Sequence, residues 1–191
     1  MCPKTKEQFE LIRENKKEQI IRAAIECFGT QGFYSVTISQ LAKHAGISKG
    51  LLYNYFSGKE DLLKHIFYSI SHDFIGFLDP NGDGILEKHE LFEYFDKLFD
   101  FLQKNIPLGK LYIAIFSQPS VLMILNEEIQ AASRQPLAMI TRYFESQGYE
   151  DPELEVAFLS TLFTGMMSEF LTDPEHFPLE KIKTRIKNMY K

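Results

Sequence analysis

The sequence is poor in the features that mark secreted, membrane and enzymatic chains. It has two cysteines, Cys2 and Cys27, in 191 residues, too few for the disulfide framework of a small secreted domain. Cys2 sits at the terminus, and Cys27 falls within an apolar helical pattern, where it reads as core. No unbroken apolar run approaches the roughly 18 residues of a membrane span, and the opening MCPKTKEQFELIRENKKEQI lacks the apolar centre of a secretory signal. A cytoplasmic protein without a membrane partner is therefore expected. No alternating strand pattern, internal repeat or low-complexity tract is visible. HExxH, GxSxG and phosphate-loop motifs are missing, and His44, His65, His72, His89 and His176 are scattered. These absences argue against an enzyme.

What is present is the balance of a folded globular protein, with 45% hydrophobic and 25% charged residues. The net charge of −5 is unevenly distributed: residues 1–65 carry 10 Lys/Arg against 7 Asp/Glu, whereas the remainder carries 11 against 19. A basic front suits attraction to phosphate, and an acidic back is repelled by it.

Helical periodicity runs through the chain, so the fold class is all-α. Ile20, Ala23, Ala24, Cys27 and Phe28 mark one face of a helix over Asn15–Phe28, closed at Gly29–Gly32. Thr37 with Gln40 reads as a capping box opening a short helix to His44, and Ala45–Ile47 is a turn. Ser48 caps a third short helix to Phe56, and Ser57 with Glu60 is expected to box the start of a longer one through Phe77. Further helices are expected over Leu91–Lys104, Leu108–Phe116, Val121–Gln147, Pro152–Leu171 and Leu179–Tyr190, punctuated by proline and glycine.

Thr37–His44, the turn and Ser48–Phe56 have the length and punctuation of a helix-turn-helix, whose second helix must reach a major groove. Leu41, Ile47, Leu52 and Phe56 can pack beneath the pair, which leaves Lys49, Gly50, Leu51, Tyr53 and Asn54 on or near the opposite face. Lysine, tyrosine and asparagine there suit phosphates and base edges. Read as chemistry alone, the same pattern also fits a purely structural helix pair. The residue order TISQLAKHAGISKGLLYNYFSGKEDLL, within Lys17–Phe67, closely resembles the DNA-binding signature of the TetR family. That resemblance implies a helix-turn-helix domain at residues 1–63 and a C-terminal helical bundle for ligand sensing and dimerisation at 64–191. By the same resemblance Thr37, Tyr53, Tyr55 and Lys59 occupy positions that usually touch phosphates, while Lys49, Gly50 and Leu51 face bases. Ser48 and Asn54 complete the candidate set, and Tyr55 reads equally as a packed aromatic. Residues before 16, with Lys4, Lys6 and Arg13, read either as an arm along the minor groove or as a frayed terminus.

The family further implies a homodimer bound to palindromic double-stranded operator DNA, a repressor released by an unknown small-molecule inducer. Its members pair through their last two long helices, here with a stripe of Val156, Leu159, Phe163, Met166 and Met167 that reads either as interface or as internal core. A ligand cavity among Leu108–Gln147 would be lined by Tyr112, Phe116, Met123, Met139, Tyr143 and Phe144, each of which alone also reads as core.

One motif lies outside this frame. DPNGDGILEKHE, residues 79–90, fills every fixed position of the EF-hand-like calcium pattern D-x-[DN]-x-[DN]-G-x5-E. Asp79, Asn81 and Asp83 would supply side-chain oxygens, Ile85 a carbonyl, Glu87 a water-mediated contact and Glu90 a bidentate closure. The flanking apolar residues, Phe74, Ile75 and Leu78 before and Leu91, Tyr94, Phe95 and Leu98 after, resemble an EF-hand's helix pair. The alternatives are calcium as a cofactor and an acidic turn joining two helices.

Overall fold

The computed structural model describes residues 6–190, so the expectations for Cys2 and Lys4 lie outside the described residues. Among those described, every regular element is a helix: α1 (Lys6–Gln31), α2 (Ile38–His44), α3 (Lys49–Tyr53), α4 (Lys59–Leu78), α5 (Lys88–Lys104), α6 (Ile106–Ser117), α7 (Pro119–Ile124), α8 (Asn126–Ser146), α9 (Pro152–Thr172) and α10 (Leu179–Met189). The all-α expectation holds.

Two apolar cores organise these helices. The first gathers Ile20, Ala24 and Phe28 of α1, Leu41 of α2, Leu52 of α3 and Leu62, Leu63 and Ile66 of α4. It also takes in Leu111 and Ile115 of α6, Val121 of α7 and Leu125. Packing beneath the reading helices therefore continues well past residue 63. The second core joins α5, α8, α9 and α10 around Leu98, Phe99, Phe144, Met167 and Phe170. Phe74 and Tyr112 pack against both.

Two glycines permit close helix crossings. A Cβ on Gly29 of α1 would stand 2.6 Å from the Pro107 carbonyl oxygen at the start of α6, and one on Gly109 would stand 2.9 Å from Leu171 of α9. Backbone thus meets backbone where the first core joins α6. An ion pair of 2.8 Å between Lys64 and Glu128 ties α4 to α8.

Several boundaries depart from the sequence reading. Residues 6–15 are neither arm nor frayed end; they extend α1, with Phe9, Leu11 and Ile12 exposed. The expected helix Val121–Gln147 is divided, because Leu125 leaves helical geometry (φ −102°, ψ 8°) to bury itself in the first core. The helix after Ser48 ends at Tyr53 instead of Phe56. The expected Ser57–Glu60 box is replaced: the Ser57 amide donates to the Asp61 carboxylate at 2.8 Å, and Gly58 is the N-cap without a side-chain bond. By length and composition α9 is apolar enough to cross a membrane, with mean hydropathy 1.3, which a search for unbroken runs does not reveal. Its inner face lies in the second core.

Candidate nucleic-acid interface

The reading pair is built by caps, because helices of seven and five residues are too short to hold their own ends. Thr37 Oγ1 accepts from the Gln40 amide at 3.3 Å, and the Thr37 amide donates to Gln40 Oε1 at 2.7 Å, forming the expected capping box. Ser48 Oγ accepts from the Leu51 amide at 3.1 Å. Between them Gly46 takes φ +62°, the left-handed value the turn requires. The Gln19 side-chain amide of α1 donates to the Ala45 carbonyl at 2.6 Å, and His44 meets Glu26 at 2.7 Å, so both ends of the turn are tied to α1. No sequence motif signals these two ties, which join residues 26 and 18 positions apart.

Above this frame Thr37, Ser48, Lys49, Gly50, Tyr53 and Asn54 are exposed. Leu51 is half-buried, and the Lys49 ammonium lies 5.9 Å from the centre of the Tyr53 ring. One short helix thus presents a cation, a phenol, an amide and a glycine that lets a partner approach its backbone. Tyr55 is half-buried and packs against the first core. Lys59, at the first position of α4, donates to the carbonyls of Phe33, Tyr34 and Val36 at 3.1, 3.4 and 3.2 Å. Sequence reasoning placed that ammonium free for phosphate.

The six candidate ligand residues do not converge on one cavity. Met139, Tyr143 and Phe144 are buried in the second core. Met123 is 79% exposed, and Phe116 reaches the surface while its ring lies 4.7 Å from that of Tyr112. Tyr112 sits between the cores, and burial pushes its phenol up to about 12. Around it the rings of Phe74, Phe77 and Phe101 pack at 5.6–6.3 Å, an aromatic cluster the sequence reading missed because its members come from three helices.

In the 79–90 loop, Gly84 adopts φ +74°, as a sharp turn at that position needs. Asp79 is buried and accepts from the amides of Gly82 and Gly84 at 2.9 and 3.1 Å. Asn81 accepts from the Asp83 amide, and Asp83 accepts from the amide of the exposed Ile85. Glu90 is buried and accepts from the Glu87 amide at 2.9 Å, the two residues boxing the start of α5. Glu87 also meets His89 at 3.0 Å. The carboxylates thus close the loop on its own backbone, and among the described residues no three His, Cys, Asp or Glu side chains converge as metal ligands would.

On the α9 stripe, Val156, Leu159, Met166 and Met167 are buried, and Phe163 packs 5.8 Å from Phe99 in the same core. The exposed apolar face of that helix carries Leu154 and Phe158 instead, with Ala157, Thr161 and Gly165 beside them.

The comparisons with known proteins agree with this geometry. Residues 20–66 match the model for bacterial regulatory proteins of the tetR family. The chain is 27% identical over 176 residues to the HTH-type transcriptional regulator YhgD of Bacillus subtilis, covering 87% of this chain and 89% of that protein. It is 30% identical over 115 residues to IcaR of Staphylococcus epidermidis, the negative transcriptional regulator of the biofilm operon icaADBC. That match covers 60% of this chain and 59% of the relative. In fold it is similar to the regulator FadR of Bacillus subtilis solved with stearoyl-CoA, with TM-score 0.74 and 21% identity over 90% of this chain and 96% of that one. With its reading helices capped and outward over residues 20–66, which match the model for bacterial regulatory proteins of the tetR family, the chain is similar to HTH-type transcriptional regulators in sequence and to FadR in fold.

Proposed function

We propose that the protein is a homodimeric, cytoplasmic repressor that binds a palindromic operator through Thr37, Ser48–Leu51, Tyr53 and Asn54 and is released by a small apolar molecule; it is a regulator and not an enzyme. The observation that carries this reading is the exposed Lys49, Gly50, Tyr53 and Asn54 surface on a helix capped and braced for rigidity. Lys49 is placed to reach a guanine edge, and the other side chains meet phosphate or adjoining bases. Repression is supported by the relative named as a negative regulator. An apolar inducer is supported by the aromatic cluster around Tyr112, and by the structural neighbour that holds stearoyl-CoA. The outward face of α9, with Leu154 60% exposed and Phe158 41% exposed, is the surface a second copy would cover. The test is an electrophoretic shift with the DNA upstream of its own gene. Salt-sensitive binding of a dimer supports the reading, and no preference over random DNA defeats it.

We propose calcium as a second, separate ligand on the complete 79–90 pattern and the left-handed Gly84 alone. Binding would have to draw Glu90 away from the Glu87 amide. Calorimetry with calcium chloride on the parent and on Glu90→Ala decides: heat at millimolar ion that the variant loses supports it, and equal traces leave an acidic turn.

A further inference from the structure

Lys59 stands where a helix dipole disfavours a cation, at the first residue of α4. Its surroundings account for its position. An ammonium has three protons to donate, and three carbonyl oxygens, those of Phe33, Tyr34 and Val36, lie 3.1–3.4 Å from its nitrogen. The Phe33 ring covers it with its centre at 4.6 Å, and that of Tyr34 lies at 5.6 Å. Phe33 and Val36 are themselves buried, so the segment carrying these carbonyls is anchored. It is irregular backbone joining α1 to α2, without helical partners for those oxygens, and it ends on Thr37, the cap of α2. Turning Lys59 out to a phosphate would break all three bonds, two of them to part-buried carbonyls, those of Phe33 and Val36.

We infer that Lys59 is a positioning residue for operator recognition: it fixes the connection that sets the N-terminus of α2, and so the pose of the reading pair, from the first turn of α4. The inference rests on the DNA-binding reading above. Since α4 runs on to Leu78 in the second core, the same tie links the sensing half of the molecule to the start of the reading pair.

The experiment measures binding of parent and Lys59→Met to the operator and to random-sequence DNA across a range of salt, with circular dichroism to give the folded fraction. A phosphate contact contributes a salt slope of about 0.9 per phosphate; a positioning residue contributes none. The expected result is an operator affinity reduced about tenfold, the size of one lost base contact, with random-DNA affinity and salt slope retained. Hydrogen-exchange protection should fall at Thr37–Gln40. Weakening of both DNAs together with a slope shallower by about one per protomer overturns the inference in favour of a phosphate contact. Loss of both in proportion to the unfolded fraction overturns it in favour of a fold staple, and unchanged operator binding overturns it outright. If Lys59→Met does not fold, Lys59→Gln keeps two donors for the carbonyls without the charge. Operator binding with an unchanged slope in that variant supports the inference, and a shallower slope defeats it. A parent that binds no operator defeats the DNA-binding reading itself, a result separate from any behaviour of the variants.

Discussion

The two halves of the molecule are held together by different physics. In the reading half, polar groups a few residues apart hold short helices in place: Thr37 with Gln40, Ser48 with Leu51 and Ser57 with Asp61. In the sensing half α6, α7, α8 and α10 begin without a side-chain cap bond. Packed rings from distant segments do the work there: Phe99 lies 5.8 Å from Phe163 and 5.9 Å from Phe170, and Phe144 lies 5.4 Å from Tyr190. At 21 residues α8 buries enough apolar face to dispense with a cap, whereas the five residues of α3 do not. The reading half is thus specified locally, and the sensing half by assembly.

The sharpest test of that division is a charge in the assembled half. Phe163→Glu should destabilise the protein by at least about 3–5 kcal/mol, since it removes a ring from the second core and puts an unpaired carboxylate there. Phe158→Glu, on the outward face of the same helix, should stay folded and shift the protein to monomers in sedimentation. A folded Phe163→Glu would break the comparison, and a fully dimeric Phe158→Glu would move the proposed interface elsewhere.

The junction between the halves comes next. Gly29→Ala forces a methyl group toward the Pro107 oxygen, 2.6 Å from the ideal Cβ position, and should cost about 1–3 kcal/mol by overpacking. Urea titration should show a lower midpoint; an unchanged midpoint would mean that α1 and α6 part easily.

Within the sensing half one polar anchor matters. Asp96 of α5 accepts from Lys183 at 2.9 Å and Lys187 at 2.6 Å, both on α10. Burial alone would raise its carboxyl, but the hydrogen bonds from the two lysines hold it below its ordinary 3.8. Its contribution is therefore present above pH 3.8 and fades as pH falls through the lower folded value. Burial would lower Lys183, yet Asp96 and Glu180 hold it above 10.5, so its share is full below that pH and fades as pH rises through the higher folded value. Asp96→Asn should cost about 1–2 kcal/mol, less than a fully buried pair because Asp96 is 43% exposed. Thermal melts should show the deficit at pH 7 and its narrowing in acid; a constant difference from pH 7 to pH 3 would contradict the pairing.

The smallest effect belongs to the reading half. Thr37→Ala removes one cap and should cost about 1 kcal/mol, visible as a small drop in thermal midpoint, with a larger relative loss of operator affinity. Equal operator binding would show that the α2 terminus is held well enough without it.

The same division explains what was legible in advance. Thr37 with Gln40, Ser48, the Gly46 turn and the outward Lys49, Tyr53 and Asn54 could all be read from the chain, because each depends on neighbours within one helical turn. The all-α class was equally legible from periodicity. The direction of a stripe was not: Val156, Leu159 and Met167 have the spacing of an apolar face, but only the position of α5 and α8 decides that this face turns inward and that Phe158 turns out. The break at Leu125 is of the same kind, imposed by a core formed largely by distant residues. The loop at 79–90 kept its full pattern, yet its carboxylates close on backbone amides. Lys59 shows the limit most clearly. Sequence determined that a cation stands at the head of α4, while the oxygens it serves lie 23–26 residues earlier. They become neighbours only when α1 and α4 pack on a shared core, because a side chain's partners are chosen by distance in space and not along the chain.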